Sequence, residues 1–251
     1  LTSMMMPAIG QTMVGIFGSV PTSLETVVFQ GGSTIGATAF KKCANLKSVI
    51  IGDSVTSIGD DAFRGCTGLT SVTIGNGVTS IGENAFYECS SLTGITIPDS
   101  VTSIGGYAFY GCSGLTRNIT IPASVTSIGR YAFYGCKNIT SVTMPLVGRT
   151  MAGLFGSTVS ASLETVVING GSKIIAGTFA NCSKLTSISI SDSVTKIKDS
   201  AFKSQTESTY VEKMMERKTA LRQEFQDELK KYEQINAYRN VFLPYGRRRL
   251  V

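Results

Sequence analysis

Six cysteines are the residues best suited to do chemistry, and no histidine is present to assist them. They stand at Cys43, Cys66, Cys89, Cys112, Cys136 and Cys182. Zinc sites call for ligands paired closely in sequence, as in C-x-x-C. Here the nearest cysteines are 23 residues apart. Without histidine the usual general base, proton shuttle and metal ligand are missing, and neither a Ser-His-Asp nor a Cys-His site can be built within one chain. Asp53, Asp60, Asp61, Glu83, Glu88 and Asp99 are scattered over turn and loop positions. Nothing there marks the paired carboxylates of a glycosidase cleft. The glycine-rich stretches lack G-x-x-x-x-G-K-[ST], so no phosphate cradle is indicated. No catalytic residue, metal or cofactor is expected, and the chain does not read as an enzyme.

The spacing of the cysteines belongs to a larger pattern. Phenylalanine recurs at Phe17, Phe40, Phe63, Phe86, Phe109, Phe133, Phe155, Phe179 and Phe202, each 22 to 24 residues from the last. Leu or Ile opens each unit at Leu1, Leu24, Leu46, Leu69, Leu92, Leu115, Ile139, Leu163 and Leu185. In the unit LTSVTIGNGVTSIGENAFYECSS, Leu69 to Ser91, Val72-Thr73-Ile74 alternates as a short strand does. Gly75-Asn76-Gly77 is a turn signal. Val78 and Ile81 form a second short apolar pair, and Ala85, Phe86 and Cys89 return the chain to the core. No stretch of this unit is long enough for a stable helix. One unit cannot bury its own apolar face, whereas stacked units can, so equivalent positions form interior ladders. Cysteines one coil apart then lie about 5 Å from one another by strand spacing. Five consecutive thiols cannot all pair, and the reading is a ladder of buried thiols, with disulfides or a metal as alternatives.

The unit resembles the BspA-like class of leucine-rich repeats, L-T-S-[IV]-x-[IL]-P-x-S-V-T-S-I-G-x-x-A-F-x-x-C. Leu92 to Cys112 reads LTGITIPDSVTSIGGYAFYGC, and Leu115 to Cys136 matches with one residue inserted near Arg117-Asn118. The resemblance covers roughly residues 1–203. It implies a right-handed β-rich solenoid with a parallel sheet on its concave side, here of about nine coils. It also implies a cell-surface or secreted protein engaged in adhesion and protein binding. Two units depart from the pattern: Pro7 to Ser19, PAIGQTMVGIFGS, and Pro145 to Ser157, PLVGRTMAGLFGS. Both lack V-T-S-I-G and the cysteine. They lie six repeats apart, the mark of a window on a larger array or of growth by block duplication.

The concave strand face is the candidate binding surface, because solenoids commonly bind there. Its outward residues, one per coil, are Met5, Val28, Ile50, Thr73, Thr96, Thr120, Thr143, Val167 and Ser189. The first three make an apolar patch beside a threonine ladder. The competing reading is strand propensity, which favours the same residue types, or packing of Met5 on a preceding coil. Tyr87, Tyr107, Tyr110, Tyr131 and Tyr134 cluster at turns, where repeat-equivalent tyrosines should stack. Tyrosine suits interfaces, and it equally serves as repeat consensus over a coil edge. The sequons at Asn118, Asn138 and Asn181 are the chance product of a Ser/Thr-rich repeat.

The pattern stops at Ser204. Residues 205–251 read as a charged, amphipathic C-terminal helical extension whose apolar stripe is Met214, Leu221, Phe225, Leu229, Tyr232 and Ile235. A helix this charged wants a surface for its stripe. Capping the last coil, self-association and docking on a separate protein partner are the three readings. The net charge of +6 is not gathered into a basic stripe, which argues against nucleic acid. No run of eighteen apolar residues marks a transmembrane segment. The whole reads as a repeat module over 1–204 and a helical tail over 205–251. The leading function is non-catalytic protein binding or adhesion. The alternative is an architectural subunit in which the solenoid is a rigid spacer and the tail an assembly element.

Overall fold

Short apolar triplets separated by turns wind into a parallel β-solenoid. The computed structural model describes residues 2–8, 10, 22–198 and 200–202, all within one unit that runs from Leu1 to Gln205. About eight turns are described. The first of the nine phenylalanines of the sequence pattern, Phe17, lies outside the described residues. So do the tail positions Met214, Leu221, Phe225, Leu229, Tyr232 and Ile235.

Three ladders join successive turns. The first is made of the longer strands that begin each unit. Ser3–Ala8, Thr26–Gly32, Ser48–Ile51 and Ser71–Ile74 form one four-stranded parallel sheet, and Thr116–Thr120, Asn138–Pro145, Thr165–Gly170 and Ser187–Ile190 form another. The second is made of two-residue strands. Five of them, Thr34–Ile35, Ser57–Ile58, Ser80–Ile81, Ser103–Ile104 and Ser127–Ile128, pair in order, and Lys173–Ile174 pairs with Lys196–Ile197. The third runs along the Ala-Phe corner, where the amides of Phe40, Phe63, Phe86 and Phe109 donate to the carbonyls of Ala62, Ala85, Ala108 and Ala132 at 2.7–2.8 Å.

Side chains repeat this order. Phe40, Phe63, Phe86, Phe109, Phe133 and Phe155 stack with ring centroids 5.1–5.5 Å apart, fully buried. The threonine of V-T-S-I-G staples turns together from outside: the hydroxyls of Thr56, Thr79, Thr102 and Thr126 donate to carbonyls one turn back at 2.9–3.3 Å. The glycine that follows Ile sits where two turns touch. A Cβ on Gly105 would stand 2.5 Å from the Glu83 nitrogen and 2.6 Å from the Gly82 carbonyl carbon.

Two features correct the expectation of an unbroken sheet and of helix confined to the tail. First, no strand forms over 93–97, so the long-strand sheet is split in two and Thr96 is not in a ladder. The turn concerned carries Gly94 where the two turns before it carry Ser48 and Ser71, and the next turn carries the residue inserted near Asn118. The pairing of that turn with the one after it skips Thr140, between Ile139 and Ser141. Second, the atypical unit contains a helix, Met151–Ser162. Thr150 caps it, accepting the Gly153 amide at 3.0 Å on its hydroxyl. The backbone leaves helical geometry at Gly156, with φ 79° and ψ 165°. With V-T-S-I-G absent there is no second short strand to make, and the helix takes the place of the corner turns around Phe155. It still delivers Leu154 and Phe155 to the core, fully buried.

Candidate functional site

The long-strand register sets eight of the nine expected outward residues side by side, all but Thr96. Met5 pairs with Val28, Val28 with Ile50 and Ile50 with Thr73 in the first sheet. Thr120 pairs with Thr143, Thr143 with Val167 and Val167 with Ser189 in the second. Their sequence neighbours Val27, Val49, Val72, Val142 and Val166 point the other way into the core. Met5, Ile50, Thr73, Thr96, Thr120 and Ser189 are exposed, and Val28, Thr143 and Val167 are half-buried. Met5 at 65% and Ile50 at 42% are the most exposed large aliphatic side chains described. The face therefore has an apolar end, Met5-Val28-Ile50, which continues into threonine. The split over 93–97 separates its two halves.

A second surface stands at the corner. Tyr87, Tyr110 and Tyr134 stack face to face, with centroids 4.7 and 5.0 Å apart and planes within 5°. Arg64 lies over the outer face of Tyr87 at 4.6 Å. At the other end Tyr134 meets Gly156: a Cβ there would stand 2.5 Å from the ring, and the positive φ also favours glycine. Tyr107 and Tyr131 form a second row tilted against the first. Arg130 lies over Tyr131 at 4.4 Å and donates to its hydroxyl at 2.8 Å. Repeat equivalence pointed to the tyrosine stacking. It missed Arg64, Arg130 and Gly156, whose places depend on which residues of adjacent turns share a position relative to Phe.

The cysteines do not form a reactive centre. All six are free and buried. Four of them donate the thiol hydrogen to the phenylalanine carbonyl one turn back: Cys66 to Phe40, Cys89 to Phe63, Cys112 to Phe86 and Cys136 to Phe109, at 3.0–3.2 Å. Burial pushes the Cys89, Cys136 and Cys182 thiols up to about 12. Cys66 is pushed up by its hydrogen bond with Cys43 and by burial, and Cys43 is drawn down by the same bond. Among the described residues no three of His, Cys, Asp and Glu gather as metal ligands do. No described helix is long and apolar enough to cross a membrane.

Comparison with known proteins places this architecture. The family model for the BspA type leucine rich repeat region matches in six copies, over residues 33–155 and 116–230. A leucine-rich repeat protein of T. pallidum shares the fold with a TM-score of 0.52 at 23% identity, over 87% of this chain and 88% of that one. A leucine-rich cell surface protein of Faecalibacterium prausnitzii is 30% identical, with a TM-score of 0.44, over 80% of this chain and 66% of its own. A search of curated proteins finds no match.

Proposed function

The chain belongs to the BspA-type leucine-rich-repeat family, and from that premise we propose that it is a non-catalytic protein-binding module, displayed on a cell surface or secreted, which binds through the outer face of its long-strand sheet. Repeat proteins of this class generally work by binding other proteins. The observation that carries the site is the apolar end of that face, where Met5, Val28 and Ile50 stand side by side in register and two of the three are exposed. An aliphatic strip rimmed by threonine is the composition of an interface core with a polar rim. The module is taken to end near Ser204, with residues 205–251 as a separate extension.

Panning a random displayed-peptide library on the full chain tests this. Peptides selected for tight binding should lose at least ten-fold in affinity for a Met5→Lys/Ile50→Lys double variant and little for Thr102→Lys, which is on another side of the coil. Selected peptides indifferent to the double variant would remove the strand face from the account.

A further inference from the structure

The corner surface carries a pattern of its own, independent of the strand face. It is clearest when residues are sorted by their place relative to the core phenylalanines of four successive turns, Phe63, Phe86, Phe109 and Phe133. Three residues before Phe come Asp60, Glu83, Gly106 and Arg130. Two before come Asp61, Asn84, Tyr107 and Tyr131. One after come Arg64, Tyr87, Tyr110 and Tyr134. All of these are exposed or half-buried. Read in one direction each row runs from charged or amide side chains to tyrosine or the opposite charge.

Such rows are complementary to themselves when reversed. Two copies laid antiparallel, with a two-fold axis between the turns of Phe86 and Phe109, would set Asp60 against the partner's Arg130. Asp61 and Asn84 would meet the phenols of the partner's Tyr131 and the partner's Tyr107. Arg64 would meet the hydroxyl of the partner's Tyr134, repeating the Arg130–Tyr131 contact made within one chain. Tyr87 would meet the partner's Tyr110. No like charges face each other in any row. Both copies have the same spacing between turns, so one matched pair brings the rest into register. A shift by one turn in one direction would leave Arg64 over Gly156, without a partner, and in the other would set Glu83 against the same residue of the second copy.

Other features of the ridge agree. The ion pairs among the described residues are Lys41–Asp61, Lys47–Glu25 and Arg64–Asp61, so Arg130 is left without a carboxylate of its own. Tyr107 and Tyr131 hold φ of 55° and 56° at a position that Asp61 and Asn84 fill in earlier turns. Asn and Asp tolerate that conformation, and a bulky aromatic there is strained, as functional positions often are. The ring faces of the column are already covered, by Arg64, by each other and by Gly156, so they offer no free platform to a flat ligand. What the ridge presents is a ladder of ring edges, hydroxyls and two guanidiniums, the residue types that dominate interface energetics. We propose that two copies of this chain associate antiparallel through the tyrosine ridge, in an isologous pair.

Sedimentation equilibrium of the full chain tests this, with two charge reversals. The wild-type chain should form a dimer. Arg130→Asp places like charges at Asp60 and position 130 twice per dimer, and should raise the dissociation constant at least ten-fold. Asp60→Lys should do the same. An equimolar mixture of the two variants should dimerise again, because both contacts of the mixed pair are then between opposite charges. Arg130 is exposed, so its reversal leaves the core intact and suffices alone if Asp60→Lys fails to fold. A wild-type chain that stays monomeric at all concentrations overturns the proposal. So does a dimer indifferent to Arg130→Asp, which would place association elsewhere, as on the tail. Variants that remain monomers when mixed overturn it as well.

Discussion

At the residue scale the cysteine decides the chemistry of the core. Valine would fill much the same space. A thiol in addition donates a weak hydrogen bond, and here it meets a phenylalanine carbonyl that already accepts the Cys amide of its own turn. The carbonyl thereby uses both its lone pairs, deep in the core where an unsatisfied one is costly. The sequence made the buried ladder legible through the 23-residue spacing. It did not disclose the donation, because the acceptor lies 26 or 27 residues away and only stacking selects it. Burial carries a pH consequence. Cys89, Cys136 and Cys182 titrate near 12 in the fold, against an ordinary value near 9. A thiol pKa raised by folding means that the unfolded chain loses the proton first. The stability held by these protonated thiols is therefore complete below pH 9 and drains between pH 9 and 12. Each thiol contributes about 1.4 kcal/mol of loss per pH unit in that window. Urea midpoints measured from pH 8 to 11 should fall more gently for Cys89→Val than for the wild-type chain. Parallel slopes would show that Cys89 does not hold its proton more tightly in the fold.

At the element scale, what the sequence showed and what it hid divide by regularity. Alternation in Val72-Thr73-Ile74 fixed strand, face and register, and every paired member of the expected face lies where that alternation put it. The helix was hidden. Pro145 to Ser157 stood out as lacking V-T-S-I-G and cysteine, yet the signal for Met151–Ser162 is weak: it contains two glycines and a run of Ser and Thr, poor helix formers. Tertiary burial of Met151, Leu154, Phe155 and Val159 supplies what propensity lacks. The helix also removes a donor. In regular turns the glycine amide after Ile donates to the Ile carbonyl one turn back, as Gly105 does to Ile81 and Gly129 to Ile104, both at 2.8 Å. At the helical turn Arg149 replaces it, donating through Nε to the Ile128 carbonyl at 2.7 Å. Arg149→Ala should cost about 1–3 kcal/mol in urea unfolding, the range for a group left without its partner, and Arg149→Gln, which retains an N–H, should recover part of it. A cost no greater than that of a surface substitution such as Lys137→Ala would refute the substitution of guanidinium for amide. The gap over 93–97 makes a second prediction. Ile95 and Ile97 lack the strand pairing that Val49 and Ile51 have with the turn that follows them, so their amides should exchange with deuterium markedly faster, although Ile51 and Ile97 are both buried. Equal protection would close the gap.

At the scale of the whole molecule the two interruptions are staggered. The long-strand sheet is broken over 93–97, where Ser80–Ile81, Ser103–Ile104 and Ser127–Ile128 pair without a break. The short-strand ladder is broken in the turn that holds the helix, where Asn138–Pro145 pairs with both its neighbours. The corner ladder crosses both places: Phe86 donates to Ala108, and Phe133 to Leu154. The junctions on either side of 93–97 and the one before the helix thus retain two ladders of three, and after the helix the Met151 amide on the Thr178 carbonyl holds the corner. In a solenoid, stability is close to a sum of turn and nearest-neighbour terms, and cooperativity persists as long as no junction is much weaker than the rest. Removing a second ladder where one is already missing should therefore divide the molecule. Gly105 is the place to do it. Its amide bridges to Ile81, and a Cβ would collide with the backbone at Gly82 and Glu83, which are not side-chain ends that can swing aside. Gly105→Ala should cost about 1–3 kcal/mol from overpacking alone. Its distinctive effect is on the shape of the transition. The wild-type repeats should unfold in urea as one transition, and the variant in two, with residues 26–81 and 139–174 losing amide protection at different denaturant concentrations. The equivalent substitution Gly59→Ala also meets backbone, at 2.7 Å, but at a junction whose three ladders are all intact, and it should lower the midpoint without splitting the curve. If both variants unfold in one step, the junctions are not ranked by how many ladders cross them, and the stagger has no bearing on cooperativity.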